Sequence, residues 1–324
     1  MGNQEEMLVK KITEIYESIS KLPDLSPSEE VNALFTELVL ACIPASPIDV
    51  SKLSNNGEQE MRSNLIRLCG EAEGLLESHY SDLLASNYEN PLEHFELFPY
   101  YSNYLKLSHL EYSLLARHVP GAPAAARVAF VGSGPLPLSS IVLASRHMRA
   151  ARFYNYDLSA TANAQARRLV RADADVGPRM AFRTVDVMNA TREEIAKYEV
   201  VFLAALVGIG REEKVRVVAH LAASMAPGAA LVVRSAQGAR GFLYPVVEME
   251  DLEGFEVLAV HHPDDEVINS VIIARKPPAT AGGGVALQPL GHSHGAVVRP
   301  CKCCDMQAMN HLTIEEVALE ELPS

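Results

Sequence analysis

The sequence is short of positive charge: 28 Lys and Arg stand against 41 Asp and Glu in 324 residues, a formal net charge of -13. Proteins that grip phosphate backbones neutralise them with Lys and Arg, so nucleic acid is not expected as a partner. Long apolar runs are missing too. Nowhere do about 18 uncharged apolar residues follow one another, and no transmembrane segment is expected. The opening MGNQEEMLVKKITEIYES carries charges throughout and lacks an apolar stretch of signal-peptide length, so the chain reads as soluble and unsecreted. Gly2 follows Met1 as in an acylation site, but Glu6 stands where that motif takes Ser or Thr, which discounts lipidation. Cysteine is scarce. Of the 5, Cys42 and Cys69 lie in apolar helical patterns, and Cys301, Cys303 and Cys304 crowd a C-terminal stretch. The odd number and its spread fit a reducing, cytoplasmic setting.

The apolar sequence that is present suffices for one large α/β unit or two ordinary domains, with no need of disulfides or metal to hold it. From Glu5 to about Ser81 the apolar residues recur at helical spacing, as in Leu34, Leu38, Val39 and Cys42, then Leu65, Leu68, Leu75 and Leu76. Pro44, Pro47 and SNNGEQ end one helix before another begins. Four or five helices are expected before residue 120. After the breakers HVPGAPAAA the pattern becomes short β-rich runs separated by helical ones: VAFVG, ARFYNYD, MAFRTVDV, VVFLAAL, AALVVRSA, FEVLAVHHP and VINSVIIARK. This alternation implies a parallel, doubly wound, Rossmann-like sheet with an antiparallel addition at its end. The expected plan is a helical domain over 1–119, a Rossmann-like α/β domain over 120–277 and a tail over 278–324. That tail is rich in Gly and Pro and lacks any period, so it is expected to be largely disordered.

VAFVGSGPLPLSS places Gly132, Ser133 and Gly134, followed by Pro135 and Leu136, between a buried strand and a helical run. Glycine there lets the backbone turn sharply and approach a ligand. A dinucleotide fingerprint would need a third glycine where Pro137 stands, which favours a nucleoside cofactor with no pyrophosphate to seat. The second strand ends FYNYD, so Asp157 can receive both hydroxyls of a ribose. The third ends TVDV, putting Asp186, with Val187 after it, where an adenine amino group would lie. Together these features read as an S-adenosylmethionine (SAM) site. In the plainer alternative, the glycines make an ordinary turn and the two acids cap helices. The sheet alone would equally fit a SAM methyltransferase or a non-catalytic SAM-binding protein.

GSGPLPLSS, NYDLSATAN and the upstream run NPLEHFELFPYYSNYLKLSHLEYSLL closely resemble the nicotianamine synthase family of plants, grasses in particular, over about Glu5 to Lys276. The resemblance implies that three SAM molecules are condensed into nicotianamine, a metal chelator, with release of three methylthioadenosines. Each step moves an aminocarboxypropyl group. In grasses the product also feeds mugineic-acid phytosiderophores for iron uptake. SAM is then the substrate, and no further cofactor or metal is expected, because the sulfonium is already an activated leaving group.

Whichever carbon next to the sulfonium is held in line with the nucleophile is the one transferred. The acceptor amine is mostly protonated near neutral pH, so a buried carboxylate of raised pKa, assisted by a tyrosine hydroxyl, is the natural general base. The Rossmann half offers none that is obvious. The helical half carries Glu73 and Glu77, whose spacing of four puts both on one helix face, and a cluster at Tyr100, Tyr101 and Tyr104. Glu73, Glu77, Tyr100 and Tyr104 are the catalytic candidates; which glutamate and which tyrosine act stays open. A solvated face for the acids and core packing for the tyrosines are the plain readings. Arg234 and Ser235, at the end of AALVVRSA, are candidates for a substrate carboxylate, although an ordinary salt bridge fits Arg234 equally well. Asn103 and His94 are weaker candidates for the amino-acid arms.

His292, His294 and the three clustered thiols fit no standard zinc module, and no ordered metal is expected. Tyr104 to Leu107 has the form of a tyrosine-based sorting signal, and Leu114 with Leu115 that of a dileucine one. The resemblance implies vesicle association, while both strings also fit buried helix faces. A homo-oligomer is left open.

Overall fold

The seven β-rich runs become seven strands because each is short, apolar and bounded by turn formers: β1 (Arg127–Val131), β2 (Arg152–Asp157), β3 (Met180–Thr184), β4 (Val200–Leu203), β5 (Ala230–Ser235), β6 (Glu256–His261) and β7 (Ser270–Arg275). A computed structural model describes residues 3–278, apart from 45, 47, 51, 52, 54 and 55. The strands join in one sheet in the order β3-β2-β1-β4-β5-β7-β6. β1 to β5 are parallel, and β7 is inserted antiparallel between β5 and β6. β4 and β5 are buried along their whole length and β1 along all but its first residue, as strands covered on both faces must be. The strand order reverses between β1 and β4, and the crevice at their carboxyl ends is where such sheets bind ligands.

Four α-helices precede the sheet: α1 (Asn3–Ile19), α2 (Glu29–Cys42), α3 (Asn56–Asn87) and α4 (Tyr101–His118). α2 starts on Ser28, whose hydroxyl accepts the Val31 N–H at 3.2 Å, and stops short of the two prolines. Along the sheet follow α5 (Leu138–Val142), α6 (Ala160–Val170), α7 (Arg192–Ile195) and α8 (Arg211–Ser224). With 32 residues, α3 rises about 48 Å, enough to pass from one hydrophobic core to another. Its first half packs Met61, Leu65, Cys69 and Ala72 into a core shared with α1, α2 and the turn that carries Ala239 and Phe242. Its second half sends Leu84 into the core beneath the sheet. Glu73 and Glu77 fall at the handover.

The boundary expected at 119/120 therefore marks where the sheet begins and not the edge of an independent unit. Residues to Ala279 form one compact unit. α4 packs on α5, β5, β6 and β7, and Arg62 donates from Nε to Gly241 O at 2.7 Å. Arg240 likewise donates from Nη2 to Ile43 O at 3.0 Å. The helical segment buries its apolar faces against the sheet and the turns after β5. The tail after Pro278, with its histidines and thiols, lies outside the described residues. Among the described residues no helix is long and apolar enough to cross a membrane. Nor does any group of three or more His, Cys, Asp or Glu among them have the placement to hold a metal ion. Leu107 and Leu115 of the two sorting-type strings are buried, at 2% and 0% exposure, so the folded chain does not display either string.

Candidate active site

β1 runs out at Val131 and the chain turns into α5 through Gly132, Ser133 and Gly134. Gly132 has φ 82° and Gly134 φ 67°, the left-handed region where a Cβ is strained. A side chain would also displace its neighbours: a Cβ on Gly132 would lie 2.3 Å from Val207 Cγ2, and one on Gly134 2.6 Å from Glu77 Oε2. Gly132 N and Ser133 N donate to Tyr156 O at 2.8 and 3.2 Å, and Gly134 N to Asp157 Oδ2 at 2.9 Å. The Ser133 hydroxyl is buried with no hydrogen-bond partner, a condition that a ligand's polar atom would relieve. A cavity of about 790 Å³ opens over this turn, and its lining includes Gly132, Ser133, Gly134, Pro135, Leu136, Asp157, Asp186 and Val187. Gly134→Ala is expected to weaken SAM binding about tenfold or more in calorimetry, because about 1–2 kcal/mol of backbone strain adds to the clash with Glu77. Unchanged affinity would mean that the turn does not shape the site.

Asp157 accepts Gly134 N on one oxygen and, at 2.9 Å, Ser159 N on the other. Each carboxylate oxygen keeps a further lone pair, so holding the turn leaves capacity for a ribose. Asp186 caps the short turn Val187–Asn189, accepting Met188 N at 2.9 Å. The capping reading thus holds for Asp186, while Ser159 and not Asp157 caps the helix after β2, and both acids line the cavity. Leu158 and Met188, 73% and 37% exposed, put apolar surface on the rim beside them, which suits the flat face of a nucleoside. On the β4 side Ala204 and Ala205 line the cavity, and behind them Lys214, 1% exposed, donates from its side-chain nitrogen to their carbonyls at 3.2 and 2.8 Å. Burial pulls its pKa down to about 7.

Opposite the turn stands the acid cluster. The Tyr104 hydroxyl lies 3.1 Å from Glu73 Oε1 and 3.0 Å from Glu77 Oε1, and the Tyr244 hydroxyl donates to Glu73 Oε2 at 3.0 Å. Burial, with Glu77 and Glu73 beside it, pushes the Tyr104 phenol well above its ordinary value, so it keeps its proton. A phenol has one hydrogen to give. Contact with two carboxyl groups at once is best satisfied when one of them carries a proton and donates to the phenol oxygen. Burial raises Glu73, and it raises Glu77 further, because the Glu73 charge adds to it. Of the two carboxyl groups, Glu77 is the one whose protonated form the surroundings favour more.

Arg234 reaches the same cavity but is already partnered. Nε donates to Glu111 Oε1 at 2.7 Å, and Nη2 donates to Glu111 Oε2 at 3.1 Å and to Ser139 Oγ at 2.6 Å, all buried. Burial alone would depress its pKa, but Glu111 outweighs that and the guanidinium stays charged. The salt-bridge reading of Arg234 is thus the one in the geometry, and its charge faces Glu73 and Glu77. Ser235 does not line the cavity: its hydroxyl accepts Val247 N at 2.8 Å and fixes the chain after β5. Along a strand successive side chains alternate faces, which is why only one of the neighbours reaches the crevice.

A second, smaller cavity of about 180 Å³ adjoins the first on the helical side, and Tyr100 and Asn103 line it. Tyr100 makes no hydrogen bond to either carboxylate, so the cluster leaves out this one of the four catalytic candidates. Asn103 donates to Glu266 O at 3.2 Å. His94 lies apart, stacked on Tyr88 at 3.8 Å. Sequence reasoning passed over Glu111, Tyr244 and Asn269. Glu111 could have been noticed as an acid inside an apolar helical stretch; nothing in the sequence distinguished the other two.

A reversing doubly wound sheet, a two-glycine turn, a nucleoside-sized cavity and a carboxylate pair beside the turn define a SAM-dependent transferase. The sequence model described as nicotianamine synthase protein matches residues 1–281, and the chain belongs to the nicotianamine synthase family. It is 61% identical over 323 residues to nicotianamine synthase 3 of Oryza sativa subsp. indica, covering 98% of this chain and 93% of that one. With nicotianamine synthase 9 of Hordeum vulgare the identity is 62% over 329 residues, 98% and 96% of the two chains. With the nicotianamine synthase of Solanum lycopersicum it is 55% over 320 residues, 97% and 98% of the two. The crystal structure of MtNAS in complex with MTA and tNA shares the fold, with a TM-score of 0.69 over 86% of this chain and all of that one at 21% identity. The reaction is the condensation of three SAM molecules into nicotianamine by aminocarboxypropyl transfer, with release of three methylthioadenosines.

Proposed function

We propose that Glu77 is the general base of each transfer and that Tyr104 and Glu73 carry the proton away from it. The observation behind this is the single phenol set 3.1 and 3.0 Å from two carboxyl groups, one of them against the glycine turn. SAM seated over Gly132–Gly134 brings a sulfonium and an ammonium beside the pair. Positive charge favours ionised carboxylates, so a proton held by the pair passes to water as the substrate arrives and Glu77 becomes a base. The acceptor nitrogen then bonds to the γ-carbon of the amino-acid arm, and the bond from that carbon to sulfur breaks, its electron pair staying on sulfur. Methylthioadenosine departs neutral. The proton lost by the acceptor nitrogen passes to Glu77, and Tyr104 can hand one on to Glu73. Arg234, still charged though paired with Glu111, lowers both carboxyl groups and so opposes the rise that burial gives them.

SAM supplies the arm from the larger cavity, and the acceptor reaches the cluster from the smaller one. In this reading the helical segment forms the acceptor half of the site. The test is Glu73→Gln. The Glu73 charge raises Glu77, so removing it lowers the Glu77 pKa, and the acid limb of kcat/KM is expected to move to lower pH while substantial turnover remains. An unmoved limb, or a loss equal to that of Glu77→Gln at every pH, would overturn the assignment. A cytoplasmic setting forms part of the proposal, supported by the unpaired, buried thiols Cys42 and Cys69. Vesicle association in the folded state would rest on surfaces other than the two sorting-type strings.

A further inference from the structure

Glu73, Tyr104, Tyr244 and Asn269 line both cavities. The first three make up the acid cluster with Glu77. Asn269 does not join them: its side chain is 6% exposed, and Nδ2 has no hydrogen-bond partner. A buried amide N–H without an acceptor is unfavourable, and folded chains keep one where something else completes it. The topology explains how it arrives there. β7 runs antiparallel, with Ser270 paired to Ser235, so the residue just before β7 falls at the carboxyl end of β5, level with the ligand crevice.

The charge balance says what Asn269 would hold. No Lys, Arg or His lines the smaller cavity, and Glu73 does, so an incoming carboxylate finds neutral donors there and a like charge. Arg234 is spoken for by Glu111. The acceptor's amine must be left free for Glu77, which leaves its carboxylate as the group to be gripped. A neutral amide can do this without adding a cation that would repel the SAM sulfonium. Each transfer also appends a new chain end bearing the same α-amino and α-carboxylate groups, so one fixed donor can read every acceptor in turn.

We propose that Asn269 recognises the acceptor, its Nδ2 donating to the α-carboxylate of the amino-acid unit whose amine is to be alkylated, at the opening between the two cavities. This rests on Glu77 being the base. The test uses the full chain given SAM alone, with methylthioadenosine and all aminocarboxypropyl products quantified by mass spectrometry. Wild type is expected to release three methylthioadenosines per nicotianamine. Asn269→Asp opposes the carboxylate with a like charge, so partly extended chains should escape, the ratio should rise, and nicotianamine yield should fall on the order of tenfold or more. Asn269→Ser, which keeps a short donor, should lie between. Thermal melts check folding and add a second readout: added nicotianamine should stabilise wild type but not Asn269→Asp, whereas methylthioadenosine, which has no carboxylate, should stabilise both alike. A ratio that stays at three in both variants, or an undiminished shift with nicotianamine, overturns the proposal. Glu77→Gln separates the underlying reading, since it should stop methylthioadenosine release yet keep the nicotianamine shift.

Discussion

Glu77→Gln is expected to cut methylthioadenosine release from SAM by about 10²- to 10⁴-fold, the usual contribution of a positioned proton acceptor, and to leave SAM binding within a few fold. The same substitution should stabilise the protein. In the folded chain the Glu77 pKa lies well above its ordinary value, so between the unfolded value of about 4.3 and the folded one the native state holds a proton that the unfolded state has lost. Stability therefore falls as pH rises through that window, and the wild type bears the full burden above it. Gln carries no such charge. The variant's melting temperature should match the wild type near pH 4 and exceed it increasingly toward alkaline pH, by about 1.5–2 °C for each kcal/mol relieved. Calorimetric melts across pH check this together with turnover. A variant that turns over normally, or one whose melting difference is flat with pH, would remove Glu77 from the role given to it.

Glu111→Ala should be the most destabilising single change near the site. Glu111 and Arg234 are both buried and joined by two hydrogen bonds at 2.7 and 3.1 Å. Removing the carboxylate strands a guanidinium in the interior, which costs about 3–5 kcal/mol where such pairs are broken. Denaturant unfolding is the measurement, and a loss below about 1 kcal/mol would mean that water or another acid compensates the charge. Adding Arg234→Met to Glu111→Ala should restore most of the stability, because two apolar groups replace a pair whose desolvation is itself costly. Activity should not return, since Glu73 and Glu77 would then face SAM without their internal cation. That separation of stability from turnover marks Arg234 as more than a fold-holding residue.

What the sequence disclosed depended on how locally each feature is encoded. Strands such as Val128–Val131 and Ala230–Val233 are legible because parallel strands covered on both faces are unbroken apolar runs. Glu73 and Glu77 are legible as a pair because four residues is one helical turn, and the glycine turn because positive φ selects glycine at Gly132 and Gly134. Glu111 and Arg234, 123 residues apart, are brought together only when α4 lies across the sheet. Tyr244 and Asn269 enter the site from the chain after β5 and from the start of an antiparallel strand, placements that topology creates and no spacing announces. Ser235 shows the opposite case: it shares the strand end with Arg234 but faces the other way, away from the cavity. That α3 serves two cores at once, joining the helical segment to the sheet, is likewise a feature no local spacing announces.

The closeness of Glu77 to the glycine turn, 2.6 Å from where a Gly134 Cβ would sit, bears on how the enzyme clears itself after each round. With Glu77 as the proposed base, SAM bound over the turn would set a sulfonium facing a carboxylate, an ion pair in surroundings that screen it weakly. Transfer annihilates both charges together, leaving a thioether and a protonated acid. The attraction that drew the substrate in is thus consumed by the chemistry, and the spent adenosyl fragment is held by its nucleoside alone. On that proposal a fresh SAM, arriving with its charge intact, has the advantage over the spent fragment, so product exchange is favoured by the same charge that positions the substrate.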